Sequence, residues 1–200
     1  MAFVKNIFDK NFIEFASYVI RSRAIPDLED GLKPVQRRIM HTLFQIDDGR
    51  MHKVASDVGD CMKFHPHGDA SIGGALVVLA NKGIFIQRQG NFGNLYTGDE
   101  ASATRYIECS VHPFAKDFLY NPHITEYVPS YDGRGKEPIT FRAKLPVVLL
   151  GGAEGIAVGM STKILPYNLK EVIDHLNGEQ ILPLCNEIDT IKVNFPMNNP

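Results

Sequence analysis

The 200-residue chain has no global basic signature: 21 Lys and Arg stand against 23 Asp and Glu, a net charge of −2. Any nucleic-acid site must be a local patch that outweighs an acidic remainder. Cysteine is scarce. Cys61, Cys109 and Cys185 are odd in number and scattered with no CxxC, which argues against a disulfide frame and for reduced thiols in a cytosol. Long apolar runs are missing too, since LPVVLLGGAEGIAVGM is broken by Gly and Glu before it reaches a membrane span. The opening MAFVKNIFDKNF lacks the apolar core of a signal peptide. Neither GxxxxGK[ST] nor a strand–GxGxxG–helix context for a nucleotide occurs. No spaced carboxylate cluster stands out beyond Asp99 and Glu100, which read as loop caps. What remains, 44% apolar and 22% charged, fits a soluble globular protein of one large domain or one domain plus part of another.

The informative stretch is 87–109, QRQGNFGNLYTGDEASATRYIEC. Gly90, Gly93 and Gly98 permit backbone conformations that a side chain blocks and let the chain lie close against a ligand. The stretch closes on Arg105-Tyr106, a guanidinium beside a phenol. An unassisted tyrosine, with a pKa near ~10, is a poor nucleophile at neutral pH. A fixed cation and a metal ion near the attacked phosphorus make the phenolate competent. The resulting phosphotyrosyl ester is close in energy to a phosphodiester, so such a break is reversible. By itself an Arg-Tyr dipeptide is ordinarily structural; the surrounding residues carry the weight.

Periodicity sets helices around that stretch. Phe12, Phe15, Ala16, Val19 and Ile20 predict a helix over 11–23, with Asp9 or Asn11 as N-cap and an apolar face to pack on a neighbour. Pro34 suits a first helical turn, with Val35, Ile39 and Leu43 as the buried stripe and Arg37 and Arg38 pointing elsewhere. Arg21, Arg23, Lys33, Arg37 and Arg38 form a basic cluster, which Asp27, Glu29 and Asp30 can equally neutralise. Val54, Val58 and Cys61 or Met62 mark a helix over 53–62. Ile72, Ala75, Leu76, Leu79 and Ala80 mark another, capped by Asp69 and ended by Gly83. Two helices joined by a short glycine-containing turn make a helix-turn-helix, the second offering its N–H groups to phosphate. The pair Gly73-Gly74 weakens that helix without a local reason. His65 and His67 can share zinc only if strand-like, and a third ligand is missing nearby. From His123 the pattern becomes β-rich, with a turn at Asp132-Gly133. Ile156, in a glycine-flanked hairpin, reads on its own as a core residue.

Together, QGNFGN, Gly98-Asp99, ASATRYIE, IPDLEDGLKPVQRRI, HPHGD and GIAVGM resemble the breakage-reunion (A) subunit of bacterial type IIA DNA topoisomerases, gyrase and topoisomerase IV, over about 11–178. The resemblance implies an α+β fold: a winged-helix (helix-turn-helix) DNA-binding domain preceded by a helical arm and followed by the start of an α/β tower domain. The arm is expected at 1–25, the winged-helix domain with the tyrosine at 26–125, and the truncated tower at 126–200. It implies Tyr106 as nucleophile, Arg105 as transition-state stabiliser, and Arg23, Lys33, Arg37, Arg38, His65 and His67 on the DNA backbone. His65 and His67 are alternatively expected to orient the tyrosine arriving from the other protomer. Ile156 becomes a wedge between base pairs. Ala70 and Gly74 stand where the family's fluoroquinolone contacts, a Ser and an acid, lie, so weak drug sensitivity is expected. Mg²⁺ and ATP would be bound by a separate B subunit. The partners would be double-stranded DNA, a second copy of the chain and that B subunit, in the cytoplasm with the nucleoid. Gln36 in place of a common His, and a stretch between NFG and RY one residue longer than in most gyrases, lean toward topoisomerase IV. Ser110 replaces a frequent basic residue. A non-catalytic helix-turn-helix module and a His65–His67 metal hydrolase are the competing readings.

Overall fold

The computed structural model describes residues 2–178, with side chains from Ile7 onward. Cys185 and the Pro/Asn-rich stretch 183–200 lie outside the described residues. Contacts group the chain into two compact units, Met1–Lys33 with Pro146–Pro200, and Pro34–Leu145. The β-hairpin within 127–138 lies in the second unit, where an ion pair and a hydrogen bond, described below, tie it to α2.

In the unit Pro34–Leu145, α2 (Pro34–Ile46) begins on a proline whose missing N–H has no intrahelical partner. Ile39 and Leu43 are buried as the spacing predicts, while Val35 is only half-buried. Gln36 and Arg37 are buried as well, Arg37 only 8% exposed, so the expectation that both arginines stand clear of the packed face is corrected. The reason is that α2 is covered on more than one side, by α3 (Val54–Cys61), α4 (Asp69–Asn81) and two of the strands. Val54, Val58 and Cys61 line the inner face of α3, and Met62 is exposed. On α4, Ile72, Leu76, Leu79 and Ala80 are buried. Its N-cap is Gly68 rather than Asp69: Gly68 is extended (φ −61, ψ 147), and Asp69 is the first helical residue, its carboxylate beside the free N–H groups. Gly83, at φ 77, ends the helix with its N–H on the Ala80 carbonyl at 3.1 Å.

Strands β1 (His52–Lys53), β2 (Ile86–Gln89) and β3 (Glu108–Val111) form an antiparallel sheet in the order β1-β3-β2. The Lys53 ammonium and Glu108 carboxylate, directly opposite on β1 and β3, pair at 2.7 Å. Phe85, Ile86, Ile107, Cys109 and Val111 bury one side of this region, at about 1.5–3 kcal/mol of transfer free energy for each large side chain. After α5 (Pro113–Phe118), β4 (Tyr127–Pro129) and β5 (Lys136–Pro138) form the expected hairpin. At its turn Gly133 N–H donates to the Ser130 carbonyl at 2.9 Å, and the Asp132 carboxylate accepts from Ser130 Oγ at 2.7 Å.

In the other unit, α1 (Ala2–Val19) starts well before residue 11, so Asp9 and Asn11 lie inside the helix and cap nothing. Of the expected packed stripe, Phe12 and Phe15 are exposed, as are Phe8 and Ile13 beside them, while Ala16, Val19 and Ile20 are half-buried. The helix widens into a π-turn, Ile20–Ala24, closed by Ile25 N–H on the Ile20 carbonyl at 3.3 Å. The carboxylates of Asp27 and Asp30 accept the backbone N–H groups of Glu29 and Leu32, at 2.9 and 3.0 Å. Later come α6 (Val147–Gly151), the hairpin β6 (Ala153–Ile156) and β7 (Ser161–Ile164), and α7 (Leu169–Leu176), which starts in a capping box of Asn168 and Glu171. Among the described residues no helix is long and apolar enough to cross a membrane.

Candidate active site

Tyr106 is 64% exposed and stands on a turn just ahead of the central strand β3. The turn is held on both sides. The first N–H groups of α3 have no partner inside their own helix. Those of Ala55 and Val54 donate instead to the carbonyls of Thr104, at 3.2 Å, and Ile107, at 3.1 Å, which bracket Arg105-Tyr106. Tyr106 N–H closes the turn on Ala103 at 2.9 Å. Ile107 is buried beneath it, 1% exposed. Gly73 lies against this turn: a Cβ there would lie 3.1 Å from the Thr104 methyl, tighter than an ordinary contact, so a side chain at this position would push on the loop. The Arg105 guanidinium carbon lies 4.6 Å from the centre of the Tyr106 ring, a cation–π contact that restrains the phenol.

The Gly-rich stretch before it folds back on itself. Gly93, at φ 81, passes so close to the Asp99 carbonyl that a Cβ would come within 2.7 Å. Asn94 and Asp99 form an antiparallel bridge, and Asn91 accepts the Ser102 N–H at 3.0 Å. The Asp99 carboxylate accepts from Thr97 Oγ1 at 2.5 Å, the loop-capping role expected of it.

A second group lies on α2, the HPHGD turn and β5. Arg38 meets Glu137 through Nε to Oε2 and through Nη2 to Oε1 at 2.9 Å, a two-point pair. Its Nη1 lies 3.0 Å from His65 Nδ1. His65 is buried, His67 is exposed, and their rings meet edge to face at 4.6 Å. His41, one turn after Arg38, donates to the Lys136 carbonyl at 3.0 Å, and burial holds its imidazole pKa below the ordinary 6.5. Sequence reasoning missed Glu137. It is separated by 99 residues from Arg38, and no local spacing joins an acid after a DG turn to that arginine.

The other unit holds Arg23, Lys33 and Ile156. Arg23 is exposed on the π-turn and Lys33 is half-buried. Ile156 is 80% exposed, which corrects the reading of it as a core residue. It ends β6, opposite Ser161, at the tip of the hairpin. Gly155 presses on the end of the π-turn so tightly that a Cβ would meet the Ala24 carbonyl oxygen at 2.1 Å. The segment of Arg23 and the hairpin of Ile156 are thereby joined. Ala70 and Gly74 are both exposed, four residues apart on one face of α4. Among the described residues no group of three His, Cys, Asp or Glu is placed to hold a metal ion.

An exposed phenol thus stands on a turn clamped by backbone hydrogen bonds, with a guanidinium against its ring. Residues 23–186 match the family described as the A subunit of DNA gyrase/topoisomerase IV, and the chain belongs to that family. It is similar to the DNA topoisomerase 4 A subunit of Borreliella burgdorferi, 54% identical over 193 residues, 96% of this chain and 30% of that protein. To the DNA gyrase A subunit of Clostridium acetobutylicum it is 42% identical over 175 residues, 82% of this chain and 21% of that protein. The DNA topoisomerase 4 A subunit of Caulobacter vibrioides is 43% identical over 177 residues, 82% of this chain and 23% of that protein. The chain thus spans less than a third of the length of these relatives.

Proposed function

We propose that the chain is the DNA-cleaving and religating part of an ATP-dependent type IIA topoisomerase. The Tyr106 oxygen attacks a backbone phosphorus, the O–P bond to the tyrosine forms, and the bond to the 3′-oxygen breaks. The phenol gives up its proton and the freed 3′-oxygen takes one. The 5′-phosphotyrosyl ester keeps the bond energy, and the reverse attack reseals the strand. Arg105 stabilises negative charge developing on the phosphoryl oxygens. The observation that carries this reading is the exposed Tyr106 on a turn fixed at both flanking carbonyls.

In this reading helices α3 and α4 with the three-stranded sheet are a winged helix, α1 is an arm for a partner protomer, and residues from 126 begin a tower domain. Each unit has its own DNA contacts: Arg23, Lys33 and the Ile156 wedge in one, and His67 with the Arg37–Arg38–His65 group in the other. Toprim carboxylates of a B subunit would hold Mg²⁺, which would supply Lewis-acid stabilisation of the charge that develops at the cleaved phosphate. ATP belongs to that subunit too. Two copies of the chain cut the two strands of duplex DNA, in the cytoplasm with the nucleoid. Ala70 and Gly74 offer no oxygen to a drug-bound metal's water, which favours weak fluoroquinolone sensitivity.

Incubation with the B subunit, Mg²⁺ and supercoiled plasmid, followed by detergent, tests the proposal. Protein attached to DNA 5′ ends, abolished by Tyr106→Phe with duplex affinity retained, is the expected result. Duplex binding without attachment makes the chain a non-catalytic helix-turn-helix module.

A further inference from the structure

We infer that Glu137 is a positioning residue for cleavage, acting through Arg38 to fix the tautomer and orientation of His65. The two-point pairing sets the plane of the guanidinium, because both carboxylate oxygens of Glu137 are satisfied only when Nε and Nη2 lie parallel to them. With that plane set, Nη1 points at His65 Nδ1 at 3.0 Å. A guanidinium only donates, so Nδ1 must be the unprotonated nitrogen and the ring proton sits on Nε2. His65 in turn packs its ring edge to face on the exposed His67, at 4.6 Å. One carboxylate on a hairpin thus sets an arginine, an imidazole and its neighbour in order.

The arrangement also changes what Arg38 can do. Each of its three nitrogens is engaged inside the chain, and the side chains of Arg38 and Glu137 are only 22% and 13% exposed. Its charge is balanced by Glu137, so it is a poor source of counter-ion release on DNA. Arg38 therefore serves the imidazole pair first and adds only weakly to the phosphate contacts proposed above.

The cleavage readout of this inference rests on the topoisomerase reading; the spectroscopic readout does not. In the ¹⁵N-labelled full chain at pH 8, imidazole spectra, with His65 identified by His65→Gln, are expected to show Nε2–H and a hydrogen-bonded Nδ1. Glu137→Gln replaces one acceptor by a donor facing Arg38, and the Nδ1 signature of His65 is expected to be lost. Formation of the covalent DNA complex with the B subunit is expected to fall about 10- to 100-fold, with duplex affinity within about twofold. Glu137→Asp, which keeps the charge, is expected to recover part of both. Should the Gln variant not fold, Glu137→Asp and Arg38→Lys carry the same spectroscopic measurement. A His65 signature unchanged in every folded variant overturns the inference. Absence of a covalent complex from the unaltered chain overturns the topoisomerase reading instead, and the spectra still decide the role of Glu137.

Discussion

Asp57, on the inner face of α3, is only 2% exposed, and its Oδ1 has no hydrogen-bond partner. Its Oδ2 accepts from Cys109 Sγ at 3.0 Å. Burial pushes the carboxyl above its ordinary 3.8, against a smaller opposing effect of the Cys109 bond. Burial, and then Asp57 itself, pushes the Cys109 thiol up as well, so the thiol stays protonated and donates. A folded-state pKa raised above the unfolded one contributes stability below the unfolded value and loses it as pH rises through the folded value. Relative to Asp57→Asn, which keeps an acceptor for Cys109, the wild type should therefore lose stability as pH rises from about 4 through the raised pKa of the carboxyl. The loss amounts to about 1.4 kcal/mol per unit by which the pKa is raised, and urea melts across that range measure it. His41 works in the opposite sense: depressed by burial, it supports the fold above its ordinary 6.5, and that support is lost as pH falls through its folded value. Part of this was legible. Asp57 lies three residues after Val54, on the edge of the stripe that spacing identifies. Its partner is 52 residues away and was not.

Among the elements, α4 carries two adjacent glycines with opposite consequences. At Gly74 a Cβ meets nothing within 4 Å, so Gly74→Ala should stabilise the chain by about 0.5–1 kcal/mol through helix propensity alone. At Gly73 the Thr104 methyl lies 3.1 Å from the Cβ position, and Gly73→Val should destabilise by about 1–3 kcal/mol through overpacking. Equilibrium unfolding of the two variants decides between them, and equal effects would contradict the clamping of the Tyr106 turn by α4. The helices themselves were readable because apolar residues recur at helical spacing along them. Their ends were less so. Gly68 caps α4 because backbone geometry, not the better capping side chain of Asp69, decided where the helix starts. Gly73 had no local explanation because its cause is a loop 31 residues further along, while nothing around Gly74 accounts for a second glycine.

At the scale of the molecule, Ile156 tests whether bent DNA is the ligand. Its side chain, 80% exposed on a hairpin tip, gains nothing from the core. Ile156→Ala should leave the thermal melt unchanged and reduce the bend of a duplex labelled for energy transfer at both ends, since unstacking a base step costs a few kcal/mol that an apolar wedge offsets. An unaltered bend removes the wedge role. The motif at 153–164 was visible in the sequence, but its exposure was not, because a glycine-flanked isoleucine reads as interior until the hairpin is seen to project. The division of the chain was the least legible feature, because it rests on contacts between residues more than a hundred positions apart, such as Gly31 with Val148 and Gly155 with Ala24.

That division has a temporal consequence. Pro34–Leu145 is one uninterrupted length of polypeptide, whereas its companion unit is assembled from two lengths on either side of it. Gly31 rests on the backbone of Val148 and Gly155 on that of Ala24, so the opening length stays unfinished until the later one has been synthesised. During translation the tyrosine-bearing portion can close first, from neighbours already outside the ribosome, while the first thirty-odd residues wait for partners more than a hundred positions behind them.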